Sequence, residues 1–183
     1  MRVDSGQMSR SAAFRAWGFR AGEGRAVDHD RRAFREALGR FPTGVAVATT
    51  RDPAGAPHGI TINSFASVSL EPPLVLWSIA RRARTAPAFL DAPHFAISIL
   101  AEHQEPLARA FSWPAGDRFE GVEVAQGLGG VPYLSAALAV FECRREAVHP
   151  GGDHAILVGR VERFQTRPGR PLLFHAGLFR GLE

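Results

Sequence analysis

Hydrophobic and polar positions alternate most strictly between Gly59 and Pro73. Ile60, Ile62, Ser64, Ala66, Val68 and Leu70 make an almost wholly apolar set at even positions. Thr61, Asn63, Phe65, Ser67 and Ser69 make the odd set, hydroxyls and an amide around one aromatic ring. Period-two alternation of this length predicts β-structure with one face on a core.

The same reading extends over the rest of the chain. A helix is predicted from Asp30 to about Arg40, with Phe34, Ala37, Leu38 and Phe41 as its apolar stripe and Asp28 or Asp30 as its cap. Gly39 and Pro42 end it. A strand over Thr43–Thr50 leads through the turn Asp52-Pro53-Ala54-Gly55 into the Gly59 strand. Leu74–Ala80 is predicted as a buried strand, followed by a short helix with Thr85 as N-cap and Pro87 in its first turn. His94–Leu100 alternates as a strand, and 102–111 has helical spacing with Leu107, Ala110 and Phe111 on one side. Two long strands, Leu134–Val148 and Ala155–Thr166, flank Pro150-Gly151-Gly152-Asp153, which predicts a hairpin. The sum is a mainly β fold with peripheral helices, pointing to a closed antiparallel barrel.

Composition narrows the picture. The chain has 183 residues, enough for one domain with a real core. No apolar run approaches a membrane span. One cysteine, Cys143, forms no internal disulfide, and a cytoplasmic location is expected. The seven histidines show no paired metal-ligand spacing, so no metal is expected. All 22 basic residues are arginine, and the net charge is +4. Residues 1–32 hold seven arginines against four acids, so the remainder is close to neutral. Residues 1–27 read as an arginine-rich N-terminal extension, either poorly ordered or an arm covering a partner subunit, and 28–183 as the domain. Nucleic-acid binding through this arm ranks last, because basic and aromatic residues do not interleave regularly.

Two stretches suggest chemistry. The odd set beginning at Thr61 carries short uncharged donors and acceptors where a solvated face normally carries charge. Either these residues merely tolerate an edge strand, or they seat a planar polar ligand. Arg81, Arg82 and Arg84 precede a helix start at Thr85. Such a junction is either a solvated basic turn or a phosphate site.

Thr61-x-Asn63-Ser64-Phe65-x-Ser67-Val68-Ser69-x-x-Pro72-Pro73-Leu74 resembles the signature of the short-chain flavin reductase family. These are reductase components of two-component flavin monooxygenases. Phe41-Pro42-Thr43-Gly44-Val45 upstream and Gly152-Asp153-His154 downstream match in the expected order. The resemblance covers about residues 30–183. It implies a split antiparallel β-barrel of the Greek-key, FMN-binding type and a homodimer with flavins near the interface. It also implies NAD(P)H:flavin oxidoreductase activity, with FMN or FAD and NADH or NADPH, and delivery of reduced flavin to a partner monooxygenase.

By the same resemblance, Thr61, Ile62, Asn63, Ser64, Phe65, Ser67, Val68 and Ser69 contact the flavin ring and ribityl chain. Arg82 and Thr85 lie by the phosphate, with Arg84 standing where the family has a small Ser. Ser98 stands where Asn is common. Arg118 and Phe119 match an element close to the cofactor. Gly152, Asp153 and His154 belong to the nicotinamide site, with His154 positioning the nicotinamide. Phe174, His175 and Phe179 stand in a segment where tyrosines are frequent. Two other readings use the same fold: a protein with tightly held FMN that oxidises a substrate directly, and a non-catalytic flavin-binding sensor.

Overall fold

In the computed structural model, residues 30–113 and 117–182 are described, so the N-terminal extension expected over 1–27 lies outside the described residues. The chain forms two compact units, Met1–Leu38 and Gly39–Glu183. In the first, helix α1 spans Arg31–Leu38. Asp30 caps it, its Oδ1 accepting the Ala33 N–H at 2.8 Å. None of its residues is buried; Phe34 and Leu38 of the predicted stripe are exposed.

The second unit carries twelve strands in its described part. The predicted Thr43–Thr50 strand breaks at Val45 into β1 (Thr43–Gly44) and β2 (Ala46–Arg51). β3 (Pro57–Ile62), β4 (Ala66–Leu70) and β5 (Pro73–Ala80) follow, then helix α2 (Ala86–Asp91) and β6 (His94–Ile99). Helix α3 (Glu105–Ser112) presents Ala108 and Phe111 to the core, whereas Ala110 of the predicted face is exposed. β7 (Val124–Gln126) pairs with β8 (Pro132–Leu134). The long strands β9 (Ala139–Gly151) and β10 (His154–Thr166) form the predicted hairpin. β11 (Leu173–His175) and β12 (Leu178–Arg180) close the chain.

Seven strands form one antiparallel sheet in the order β3-β2-β6-β9-β10-β5-β4, and β1-β11-β12 form a smaller one. The central strands are apolar on both faces because both faces are covered. In β2, Ala46 and Ala48 join one core with Trp77, Phe89, Phe95, Ile97 and Leu157. Val47, with Val45 just before the strand, joins a second with Leu100, Phe111, Leu134 and Leu172.

Ile62 of β3 lies in the first core beside Val75, Trp77 and Ile79 of β5, although four strands separate β3 from β5 in the sheet. The sheet therefore curls around that core. Ser64 clasps the curl: its Oγ accepts the Ser78 N–H at 2.9 Å and donates to the Ser78 carbonyl at 3.1 Å. Among the described residues no ladder joins β3 to β4 or β5.

One correction follows for the stretch that alternates from Gly59 to Pro73. It is not one ribbon. β3 ends at Ile62, the Asn63–Phe65 corner turns the chain, and β4 begins a new edge. The apolar face survives only as far as Ile62; Val68 and Leu70 are exposed, Leu70 at 89%. Alternation reports a pleat, but not whether the partner for its apolar side lies in the same chain.

Candidate functional site

β3 is an edge strand, and two depressions lie along it. The first, about 170 Å³, is lined by His58, Gly59, Arg84, Thr85, Arg118 and Phe119, among others. α3 approaches β3 closely here because Gly59 has no side chain. A Cβ on Gly59 would lie 2.4 Å from the Phe111 ring. Phe119 packs edge-on against Phe111 at 5.1 Å, which seats the 117–121 loop over the strand.

Arg118 on that loop is anchored by its donors, Nη1 to the Gly59 carbonyl and Nε to the Trp113 carbonyl. Burial, and then the charge of Arg84, hold its guanidinium below the usual arginine range. Two cations thus share a partly dehydrated pocket with one carboxylate, Asp117, whose Oδ1 accepts the Phe119 N–H at 2.9 Å; the excess of positive charge would stabilise an anion. Thr85 completes the wall. It does not cap α2 as the sequence predicts: its backbone is helical (φ −85°, ψ −8°), and its side chain makes no capping bond. An N-cap needs an extended backbone for its oxygen to reach the first free N–H groups. The Thr85 hydroxyl is instead buried with no hydrogen-bond partner.

The second depression, about 320 Å³, is lined by Val45, Thr61, Ile62, Asn63, Phe174 and Phe179, with Ser112 at its side. Phe174 and Phe179 meet edge to face at 5.5 Å, and the Arg109 guanidinium lies 5.1 Å above the Phe179 ring. Thr61 donates its hydroxyl to the Ala108 carbonyl at 2.7 Å, tying β3 to α3. Gly59 and Thr61 are two residues apart on one strand, about 7 Å, so the depressions are neighbours along β3.

The other predicted residues lie elsewhere. Ser64 is engaged in the clasp to Ser78, and Phe65 stacks on Phe141 at 5.4 Å. Ser67, Val68 and Ser69 sit on β4 at the opposite end of the sheet order. Gly152 (φ +67°) and Asp153 form the β9–β10 turn, and the Asp153 carbonyl accepts the Arg81 N–H at 3.0 Å. His154 Nδ1 pairs with Asp153 Oδ1 at 2.6 Å. That bond, more than the charges of His154 and Arg82, holds the Asp153 carboxyl below its ordinary range. His154 and Arg82 line neither depression.

Ser98 needs a correction. It is fully buried, and its Oγ accepts the Leu134 N–H at 3.1 Å, so it has no surface to offer a cofactor. The sequence reading missed His58, Gly59, Phe174 as a pocket wall, and Arg109. Only tertiary packing of α3 and the 173–180 hairpin on β3 brings them together.

An aromatic hollow and a hollow holding two arginines thus lie side by side on one edge strand of an antiparallel β-domain. The chain belongs to the family described as "Flavin reductase like domain", whose match covers residues 38–183. It is 50% identical over 148 residues to an FMN reductase (NADH) of Agrobacterium fabrum, covering 81% of this chain and 84% of that protein. It is 41% identical to the reductase subunit of a flavin-dependent monooxygenase of Rhodococcus jostii, covering 84% and 79%. Against two relatives from Rhizobium meliloti it spans only 60% and 44% of their length. Among solved structures, the NADH:FAD oxidoreductase of Streptomyces globisporus, in complex with NAD and FAD fragments, superposes with a TM-score of 0.82. It is 38% identical, over 88% of this chain and 97% of that one.

Proposed function

We propose that this protein is an NAD(P)H:flavin oxidoreductase that reduces FMN or FAD and supplies the reduced flavin to a partner monooxygenase. The names of its relatives support NADH as the preferred donor. The observation that carries the reading is the dicationic hollow: Arg84 and Arg118 beside the buried, unpartnered Thr85 hydroxyl. Those donors suit a phosphate, and the hollow walled by Phe174 and Phe179 suits a planar ring.

In this reading Arg84, Thr85 and Arg118 hold the flavin phosphate. Thr61, Ile62, Asn63 and Phe179 border the ring, and Phe119 backs the link between the hollows. When bound, the nicotinamide and flavin supply the hydride chemistry. The chain's part is to hold the two rings face to face and exclude water. His154, whose Nδ1 is fixed by Asp153, leaves Nε2 to orient the nicotinamide; it is a positioning residue. Val68 and Leu70, bare on the edge strand β4, support a homodimer in which Ser67 and Ser69 approach a flavin near the interface. The curled seven-stranded sheet is read as the split β-barrel. The test is steady-state turnover of purified protein with both flavins and both nicotinamides. Loss of nicotinamide absorbance only when flavin is present is expected; no loss above background refutes the proposal.

A further inference from the structure

His58 lines the dicationic hollow with Arg84, Thr85 and Arg118. Its Nε2 lies 2.9 Å from Asp52 Oδ2. Asp52 is itself fixed, its Oδ1 accepting the Ala56 N–H at 2.9 Å. The bond to His58, ahead of the one from Ala56, holds this carboxyl below its ordinary range, so Asp52 is an anion at neutral pH. An ionised carboxylate can only accept. The proton on the His58 ring must therefore sit on Nε2, and in the neutral ring Nδ1 is a bare lone pair. A bare nitrogen repels a phosphate oxygen, whereas a protonated one donates to it.

We propose that His58 is a proton-linked phosphate ligand: its Nδ1 takes up a proton when a phosphate-bearing flavin enters this hollow. The inference rests on assigning the phosphate to the hollow. The other charges around His58 are Asp52 on the β2–β3 turn, Arg84 after β5, and Asp117 and Arg118 on the loop after α3. Across the ladder it faces Thr50, which is uncharged. Arg51 is turned away, donating to the Gly130 and Gly55 carbonyls. Asp52 thus does two things: it fixes the tautomer and it balances the charge that the ring acquires.

The phosphate's own second ionisation, near pH 6, acts in the opposite sense, because the dianion binds arginine better. With His58 as a ligand that takes up a proton on binding, FMN affinity falls as pH rises from 6 to 8, by at most about tenfold per pH unit for one proton. Riboflavin, which lacks the phosphate, shows no such slope.

The experiment is calorimetric titration of the full chain with FMN and with riboflavin across that range. At about pH 7.5, where FMN is already dianionic, it is run in two buffers of different ionisation enthalpy. Proton uptake on binding FMN and none on binding riboflavin is expected. In H58Q the uptake disappears and the slope of FMN affinity with pH reverses. In D52N the ring is free to place its proton on Nδ1, so uptake diminishes while affinity at pH 8 is kept. Thermal melts confirm that each variant is folded. Undiminished uptake in either H58Q or D52N overturns the role of His58. If T85V and R118Q bind FMN as the wild type does, the phosphate assignment falls first, and this inference with it.

Discussion

Thr85→Val tests the site with opposite signs on stability and binding. Thr85 is 8% exposed, and its hydroxyl has no hydrogen-bond partner. A buried hydroxyl left unsatisfied costs about 1–3 kcal/mol. Valine keeps the shape and removes that cost, so the ligand-free variant gains stability towards that limit. For a chain of this size each kcal/mol is worth about 2–4 °C in Tm. A hydrogen bond to a charged group contributes about 1.5–3 kcal/mol, so losing it weakens FMN binding by roughly 10- to 150-fold. Riboflavin binding stays as in the wild type. The assays are a thermal melt without ligand and flavin titration by fluorescence quenching. A variant that melts lower and binds FMN normally would show that the hydroxyl serves packing, and the phosphate assignment would fail.

Gly59→Ala places a methyl carbon 2.4 Å from the buried Phe111 ring, so α3 must shift; a loss of about 1–3 kcal/mol is expected by denaturant unfolding, and an unchanged midpoint would show that the approach is not tight. Cys143 is buried, and its thiol is pushed up to about 12 by that burial and then by the charges of Glu142 and Glu162. At pH 8 it should resist thiol reagents in the native protein and react on unfolding; rapid native labelling would contradict the packing of the first core.

Local signals carried far into this fold. The Asp52–Gly55 turn is legible because Gly55 takes the positive φ (+84°) that glycine tolerates, and the β9–β10 hairpin because Gly152 does the same (+67°). The motif residues named the family, which the family match over residues 38–183 bears out. The site was less legible. A row of alternating polar residues looks the same whether it continues on one strand or turns a corner, and the Asn63–Phe65 corner carries neither glycine nor proline. Thr85 has the identity of a cap, but its backbone angles, set by the turn before it, withhold the geometry.

By itself, then, the sequence determined the longer strands, where most turns fall and which family the chain joins, because turn residues and side-chain alternation act within a few positions; the short strands β7, β8, β11 and β12 and the corner after Ile62 escaped it. Only the tertiary structure decided that Arg84, Thr85, Arg118 and His58 share one hollow and that Ser98 is sealed away. Those relations depend on how a curled sheet brings residues tens of positions apart into contact, and on the missing Cβ of Gly59 that lets a helix settle against the edge strand.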